Sequence, residues 1–207
     1  MSSSTLVKVK SSFKLKILVV GAANSGKHSF CSKYSDNFSQ KFRDIIGVDI
    51  YVREETRADG QVTTFSCWNC APQKKFHYYY SKFFRGALGA LILFDISDRG
   101  SYEEVEYWIN EVRKYIDGIP IILIGNKVDL ERKVAYEDVL QFANQKKLAA
   151  YIETSTKDDV NISVTFSLLN DIIYNFIRSG ESVFNTDDLD PSIKLKIDAL
   201  RNNYSKF

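Results

Sequence analysis

Apolar and polar residues follow two different periods along the chain, and the change of period predicts strands that alternate with helices. FKLKILVV (13–20), LGALILFDIS (88–97) and IPIILIGNK (119–127) are continuous apolar runs, which are typical of parallel strands covered on both faces. GVDIYVREETRA and QVTTFSCW alternate in polarity on either side of Asp59-Gly60, which indicates an antiparallel hairpin. The pattern predicts a doubly wound α/β domain whose ligand lies at the carboxyl ends of the strands.

Between and after these strands, apolar residues recur at the spacing of an α-helix. Ser101 and Glu104 form a capping-box pattern, which predicts the start of a helix. A second helix is predicted over about 136–147, before the strand AAYIETS. The apolar stripe of the first helix is Val105, Ile109, Val112 and Ile116, and that of a third helix is Ile162, Phe166, Leu169, Ile173 and Phe176.

The chain changes character after Gly180, where the polar stretch SVFNTDD indicates a linker. A short amphipathic helix is predicted beyond it, with Asp190 as cap and Pro191 in its first position. The prediction divides the chain into a flexible N-terminus (1–12), one domain (13–179) and a linker with its helix (180–207). The apolar face of that helix carries Ile193, Ile197, Leu200 and Tyr204. It is expected to pack on the domain, on a second copy of the chain or on a further domain.

Charge, cysteine count and hydropathy exclude several classes of protein. The formal charge of +2 is too small to indicate electrostatic capture of nucleic acid. Three cysteines, an odd number, indicate reduced thiols and a cytoplasmic protein. No stretch is apolar over the length of a membrane span. Because residue 2 is Ser and no Cys follows Cys70, no lipid anchor is expected on this chain as given, and membranes would be reached through partners.

The stretch GAANSGKHSF (21–30) lies between a predicted strand and a predicted helix and matches G-x-x-x-x-G-K. In such a loop, backbone N–H groups converge on phosphate oxygens and the Lys ammonium reaches the outer phosphates. A purely structural turn is the alternative. The residues expected at a nucleotide are Gly21, Ala23, Asn24, Ser25, Gly26, Lys27, His28 and Ser29.

Two further motifs resemble those of small GTPases. NKVD (126–129) resembles their N-K-x-D guanine-specificity motif, and ETSTK (153–157) resembles their E-T-S-A-K loop. IGVDI (46–50), FFRGALGALILFDIS (83–97) and Trp68 are similar to the Rab branch in particular. The resemblance runs from about residue 14 to 178. It implies the P-loop NTPase fold of small GTPases, with a mostly parallel six-stranded sheet flanked by helices and GTP or GDP as ligand.

The resemblance assigns roles around the base. Asp129 would accept two hydrogen bonds from guanine, Asn126 would brace the loops, and Lys127 would lie along the base. An exposed surface turn with a charge pair is the alternative. The other edge of the base would be closed by Ser155, Thr156 and Lys157.

The positions that hold Mg²⁺ in this family read differently here. By the resemblance, members use a Ser or Thr after the loop Lys, a Thr in the first switch and, through water, an Asp in the second switch. In this chain these positions are His28, Ile45 and Asn69. Mg²⁺ demands near-octahedral oxygen coordination, so we expect no protein ligand for the metal, and Mg²⁺ weakly bound or absent.

The second-switch segment, WNCAPQKKF (68–76), departs again from the family pattern. Pro72 replaces a Gly whose N–H contacts the γ-phosphate in the family, and proline has no such donor. Gln73 is retained at the position that orients the attacking water, but it is expected to be ineffective because phosphoryl transfer depends on the metal. GTP hydrolysis is therefore expected to be slow or absent.

Two function classes remain open. The first is an atypical Rab-like protein that binds GTP or GDP and regulates vesicle traffic through effectors or an exchange factor. The alternative is a nucleotide-free pseudo-GTPase that acts as an interaction module and presents Ile50, Trp68 and Phe84 to partners. A third possibility combines them in a protein that is mostly GDP-bound or empty and holds an exchange factor.

Two smaller readings concern the second switch. A zinc site could use Cys67, Cys70, His28 and His77, although plain buried thiols are the more ordinary interpretation. The aromatic stretch FHYYYSKFF (76–84) is interpreted as a switch helix with a partner-facing apolar patch.

Overall fold

Seven strands form one sheet in the order β2-β3-β4-β1-β5-β6-β7. The computed structural model describes residues 12–35, 37–41, 47–56 and 62–202. The strands are β1 (Ser12–Gly21), β2 (Asn37–Lys41), β3 (Val48–Thr56), β4 (Val62–Cys70), β5 (Gly89–Asp95), β6 (Ile121–Asn126) and β7 (Ala150–Thr154). The α-helices are α1 (Lys27–Tyr34), α2 (Tyr80–Phe84), α3 (Arg99–Glu103), α4 (Val105–Tyr115), α5 (Tyr136–Gln145), α6 (Ile162–Ser179) and α7 (Pro191–Asn202), and two 3-10 helices span Lys74–Tyr79 and Thr186–Asp188.

The predicted doubly wound α/β fold is confirmed. β4, β1, β5, β6 and β7 are mutually parallel, and β3 pairs antiparallel with β4 as the hairpin signal indicated. All six predicted strands are present, and β2 adds a seventh at the edge, antiparallel to β3. The tip of the hairpin, Asp59-Gly60, lies outside the described residues.

The helices cover the sheet on two faces, as continuous apolar strands require. Every residue of β5 and of β6 is buried. On one face, Phe30 of α1 and Phe166 of α6 pack in the same apolar cluster. On the other face, Trp108 of α4 and Val139 of α5 belong to a second cluster. The carboxyl ends of the parallel strands thus open at one edge of the sheet, where the candidate site lies.

The predicted capping box at Ser101 is wrong. The helix begins earlier, at Arg99, and Asp98 caps it by accepting a hydrogen bond from the N–H of Gly100. The Ser101 hydroxyl is buried and instead donates towards the carbonyl oxygens of Asp95 and Asp98. The α4 helix starts separately at Val105, and its predicted apolar stripe is buried up to Val112.

The chain after α6 packs on its own domain. The N–H of Phe184 donates to the carbonyl of Gly118 at 2.7 Å, so the predicted linker is part of the fold. In α7, Ile193 and Ile197 are buried in the same cluster as α1 and α6. The face on which self-association was predicted is therefore covered within one chain. Residues 1–11 and Tyr204 lie outside the described residues, and within those described none of the helices has the apolar run that a bilayer-spanning segment needs.

Candidate functional site

The loop between β1 and α1 has the backbone conformation of a tight phosphate-binding turn. Gly21 has φ = 136°, Asn24 has φ = 60° and Gly26 has φ = 91°. These are left-handed or otherwise restricted conformations, which glycine adopts freely and asparagine tolerates better than most residues. A Cβ at Gly26 would lie 2.2 Å from the side-chain nitrogen of Asn126, so the loop can approach the next motif only with glycine at this position.

Lys27 lies inside this loop. Its side chain is buried, and its Nζ donates to the carbonyl oxygens of Gly21 at 2.8 Å and Ala22 at 2.5 Å. It also approaches the Ser25 hydroxyl at 3.3 Å. The ammonium group is therefore held at the centre of the turn, directly before α1, where its positive charge suits an anion.

Asn126, at the end of β6, braces three loops with one side chain. Its amide nitrogen donates to the Ser25 carbonyl at 2.9 Å. Its amide oxygen accepts from the hydroxyls of Thr154 at 3.0 Å and Thr156 at 3.2 Å. These bonds tie the Ser25 loop and the segment 154–156 to the end of β6.

Asp129 lies beside this brace at the edge of an open cavity. Its Oδ1 accepts a hydrogen bond of 2.7 Å from the Ser155 hydroxyl, and its Oδ2 lies 3.7 Å from the Nζ of Lys157. The cavity has a volume of about 360 Å³. It is lined by all three motif loops, through Gly26, Ser29, Asn126, Lys127, Asp129, Thr156 and Lys157. Of the other predicted loop residues, Ala23 and Asn24 are exposed and Ser25 is buried beneath the loop.

Lys127 forms an ion pair that the sequence reasoning missed. Its Nζ lies 2.6 Å from Oδ2 of Asp95 at the end of β5. Burial alone would raise the pKa of Asp95, but the hydrogen bonds from Lys127 and Ser97 outweigh it and hold that pKa below its ordinary value. The pair joins the ends of β5 and β6 beneath the cavity.

A second ion pair fixes the strand that leads into ETSTK. Arg132 donates to both carboxylate oxygens of Glu153, at 2.8 and 2.6 Å, and Tyr151 donates to the same carboxylate at 2.6 Å. Glu153 is buried. Because Arg132 follows NKVD and Glu153 opens ETSTK, this fork fixes the two base-side loops relative to each other.

His28 takes the place of the expected hydroxyl ligand and contacts β3. Its Nδ1 is 2.6 Å from the Tyr51 hydroxyl and 3.7 Å from Oδ2 of Asp49. The Asp49 carboxylate also accepts a hydrogen bond of 3.5 Å from the Asn69 amide. Asp49 and Tyr51 were not predicted as site residues, because only the pairing of β3 with its neighbours brings them here.

The donors at this position differ from a set of charged oxygen ligands. His28 offers an imidazole nitrogen that is already hydrogen-bonded, and Asn69 offers a neutral amide oxygen that is buried and has no hydrogen-bond partner among the described residues. Asp49 is the charged oxygen donor of the group, and it is engaged with Asn69 and near His28. Mg²⁺ prefers several oxygen ligands in near-ideal geometry. Ile45, the third altered position, lies outside the described residues.

The second-switch segment is packed against the domain. The N–H of Ala71 donates to the Gly47 carbonyl at 2.7 Å, and the buried Tyr80 hydroxyl donates to the Ala71 carbonyl at 2.7 Å. A Cβ at Gly47 would lie 2.3 Å from the Phe76 ring, so this ring sits directly on the glycine. Gln73 is exposed and begins the 3-10 helix as its N-terminal cap position.

The predicted partner surface is wrong for one of its three members. Ile50 and Trp68 are directly opposite each other on β3 and β4 and are half-buried. Phe84 is completely buried and stacks on Tyr80, with ring centroids 4.9 Å apart. The aromatic stretch 76–84 therefore belongs largely to the core, and Tyr78 is its most exposed ring.

The thiols of the second switch are ordinary core groups. Cys67 and Cys70 are buried, and burial raises the pKa of Cys70 to about 12. His77 instead lies between the Pro72 carbonyl and the Tyr107 hydroxyl, at 3.3 Å from each. Among the described residues no group of three His, Cys, Asp or Glu side chains could hold a metal ion, so the zinc reading is not supported.

Comparison with known proteins identifies the family. The model of the Ras family matches residues 16–175. Ras-related protein RabC of Dictyostelium discoideum is 32% identical over 186 residues, which cover 87% of this chain and 94% of the relative. From the same organism, Rab-11C is 33% identical over 81% of this chain and 75% of its own length. Rab-11A is 34% identical over 78% and 77%. The chain therefore belongs to the Ras family of small GTPases, with Rab-type proteins among its relatives.

Proposed function

We propose that this protein is a Rab-type regulator that binds GTP or GDP with little dependence on Mg²⁺ and hydrolyses GTP slowly or not at all. The observation that carries the proposal is the cavity in which Gly26, Asn126, Asp129 and Lys157 meet. Three loops distant in sequence supply its walls, and Asn126, which begins one of them, bonds to the other two. Hydrogen bonds of this kind would hold the three loops in position around a ligand that contacts all of them.

Guanine is the base that this arrangement favours. The Asp129 carboxylate can accept two hydrogen bonds from the ring N–H and exocyclic amine of guanine, which adenine does not offer in that geometry. Ser155 and Lys157 hold the carboxylate in place. An unpaired buried acceptor disfavours the wrong base strongly. The nucleotide-contacting residues are then those predicted from the three motifs.

The residues at the magnesium positions and at the second switch support the proposed weak dependence on Mg²⁺ and the slow hydrolysis of GTP. His28 offers a ring nitrogen that bonds to Tyr51. Asn69 donates to Asp49 through its amide nitrogen and keeps only a neutral, buried Oδ1 without a hydrogen-bond partner in the part of the chain that the structure describes, and Pro72 has no N–H for a γ-phosphate. A ligand that interacts equally with two conformations does not shift their balance, so GTP and GDP would be poorly distinguished. We place the protein in the cytoplasm and in vesicle traffic, with effectors contacting the exposed parts of Ile50 and Trp68.

The nucleotide-free interaction module remains the second candidate. It is favoured by the packed second-switch segment, where Tyr80 and Phe76 tie the chain to Ala71 and Gly47. A module of this kind would present a constant surface instead of a switched one.

The experiment is to purify the protein, denature it and chromatograph what it releases, then titrate the nucleotide-free protein with labelled GDP, GTP and ATP in Mg²⁺ and in EDTA. We expect about one guanine nucleotide per protein, similar affinity for GDP and GTP, and little change with EDTA. The triple variant His28→Ser, Ile45→Thr and Asn69→Asp restores three oxygen donors and serves as the magnesium-dependent control. Absence of nucleotide binding supports the module, and a strong Mg²⁺ requirement in the unmodified protein contradicts the magnesium proposal.

A further inference from the structure

We propose that His28 and Tyr51 form a metal-free clamp that ties β3 to the phosphate loop and slows nucleotide release. The inference rests on the proposed function, because it assigns the retention of that nucleotide to a side-chain pair. His28 is the second residue of α1 and follows the loop lysine directly. Its Nδ1 and the Tyr51 hydroxyl are joined by a hydrogen bond of 2.6 Å.

Packing fixes the Tyr51 side of this bond. Tyr51 is 1% exposed and lies in the core cluster shared with Tyr34 and Phe65. Its ring meets the His28 ring edge-on, with centroids 5.9 Å apart. A tyrosine that cannot reorient holds its hydroxyl at one place, whereas the His28 side chain is 54% exposed and needs such a partner to keep one orientation.

The neighbouring strand position supports the same contact. Asp49 lies two residues before Tyr51, so both side chains leave the same face of β3. The Asp49 carboxylate is 3.7 Å from the His28 ring nitrogen and is 3% exposed. Asn69 of β4 donates to the same carboxylate oxygen. The start of α1 therefore meets β3 through two polar side chains, and one of these, Asp49, is also bonded to β4.

The position of the clamp explains its proposed effect. In the family that this chain resembles, a cation bridges the phosphate loop and the first switch. Here β3 begins directly after that switch, and Tyr51 reaches the residue that would have held the cation. If nucleotide release requires β3 and the phosphate loop to move apart, that movement has to break the His28–Tyr51 bond. The bond forms without a metal, so its effect persists in EDTA.

The first test compares nucleotide release from Tyr51→Phe with release from the unmodified protein. Removing one hydroxyl from a buried hydrogen bond is expected to speed release of labelled GDP by about 5-fold, in Mg²⁺ and in EDTA alike. Tyr102→Phe is the matched control, because Tyr102 packs on Phe94 and Phe142, away from the phosphate loop. Release from Tyr51→Phe at the unmodified rate overturns the proposal.

The second test needs no nucleotide and therefore separates the clamp from the proposed function. Amide hydrogen exchange over residues 48–56 in the nucleotide-free protein should be several-fold faster in Tyr51→Phe and in His28→Ala. The double variant should be no faster than His28→Ala, because both single changes remove the same bond and only His28→Ala also removes the contact with Asp49. If the protein binds no nucleotide, the proposed function fails, but this measurement still tests whether the His28–Tyr51 bond holds β3 in place. Unchanged exchange in the single variants, or additive effects in the double variant, overturns it.

Discussion

The two halves of the site edge differ in how their polar groups are used. On the base side, at the ends of β6 and β7, Asn126, Asp129 and Ser155 bond across loops and keep the residue types of the family motifs. On the cation side, His28 and Asn69 stand where the family has oxygen ligands. His28 bonds to Tyr51 of β3, and the Asn69 amide nitrogen donates to Asp49 of β3 while its Oδ1 has no hydrogen-bond partner within the described residues. The base motifs and the cation positions therefore lie on different elements, so the residue types of one set can change while those of the other stay.

The second switch extends this contrast. Its family-like counterpart responds to a γ-phosphate through a glycine N–H, whereas here Pro72 follows a segment held by Tyr80 and Phe76. Aromatic packing holds the segment on this side. The comparison shows that the residue types of the base motifs are kept in this chain while those of the second switch are changed.

The largest effect is expected in nucleotide affinity, from a substitution on the base side of the site. Asp129→Ala should weaken GDP binding by about 100-fold or more, since it removes two charge-assisted hydrogen bonds worth about 1.5–3 kcal/mol each. Fluorescence titration with labelled GDP measures this. The exposed Asp138 in the first turn of α5 is the control position, and Asp138→Ala should bind normally. Equal affinity in Asp129→Ala and the unmodified protein would remove the basis for guanine recognition.

The second largest effect is expected in the free energy of unfolding, and it comes from the ion pair between Arg132 and Glu153. Arg132→Met leaves Glu153 buried with only part of its hydrogen bonding. Breaking a buried pair by removing one partner costs about 3–5 kcal/mol, and we expect about 3 kcal/mol because Arg132 is partly exposed. Urea unfolding measures the loss.

The exposed pair of Arg99 and Glu103, 3.7 Å apart, offers the matched comparison. Exposed pairs contribute about 0–1 kcal/mol, so Arg99→Met should change the free energy of unfolding little. Similar losses in Arg99→Met and Arg132→Met would mean that the buried fork has no special role.

The packing of the second switch can be tested with a single hydroxyl. Tyr80→Phe leaves the buried Ala71 carbonyl without this donor, and an unsatisfied buried group costs about 1–3 kcal/mol. We expect a loss of about 1–2 kcal/mol in stability and faster proteolysis of the segment 68–76. Tyr78→Phe is the control, because Tyr78 is 77% exposed. If both variants behave alike, the hydroxyl does not hold the segment.

The fold could be predicted from sequence because its main signals are local. β5 and β6 are continuous apolar runs, and the alternation in β3 and β4 marks a hairpin whatever surrounds it. The edge strand β2, with the sequence NFSQK, has no alternation and pairs with β3 alone. Strand formation there depends on backbone hydrogen bonds to a neighbour, which no pattern within five residues indicates.

The site could be predicted only in part, for the same reason. Short contiguous motifs located the loops around Gly26, Asp129 and Ser155. The contact of His28 with Tyr51 joins residues 23 apart in the chain, and it depends on the packing of α1 against β3. The burial of Phe84 is likewise set by the packing of α2, in which Phe84 stacks on Tyr80, and a run of aromatic residues does not reveal which of them are buried.

The smallest expected effect concerns acid stability at the ion pair between Lys127 and Asp95. Burial would raise the pKa of Asp95, but the hydrogen bonds from Lys127 and Ser97 outweigh burial. The pKa of Asp95 therefore lies below its ordinary value of 3.8. A carboxyl with a lowered pKa stabilises the fold fully above its unfolded value and loses that contribution as the pH falls through its folded value. Asp95→Asn should therefore be less stable than the unmodified protein, by roughly 1 kcal/mol at neutral pH for one charge-assisted contact, and the difference should shrink below about pH 4. Urea unfolding between pH 3 and pH 7 measures this, with Asp138→Asn as control. A difference that stays constant down to pH 3 would show that the Asp95 charge does not stabilise the joined ends of β5 and β6.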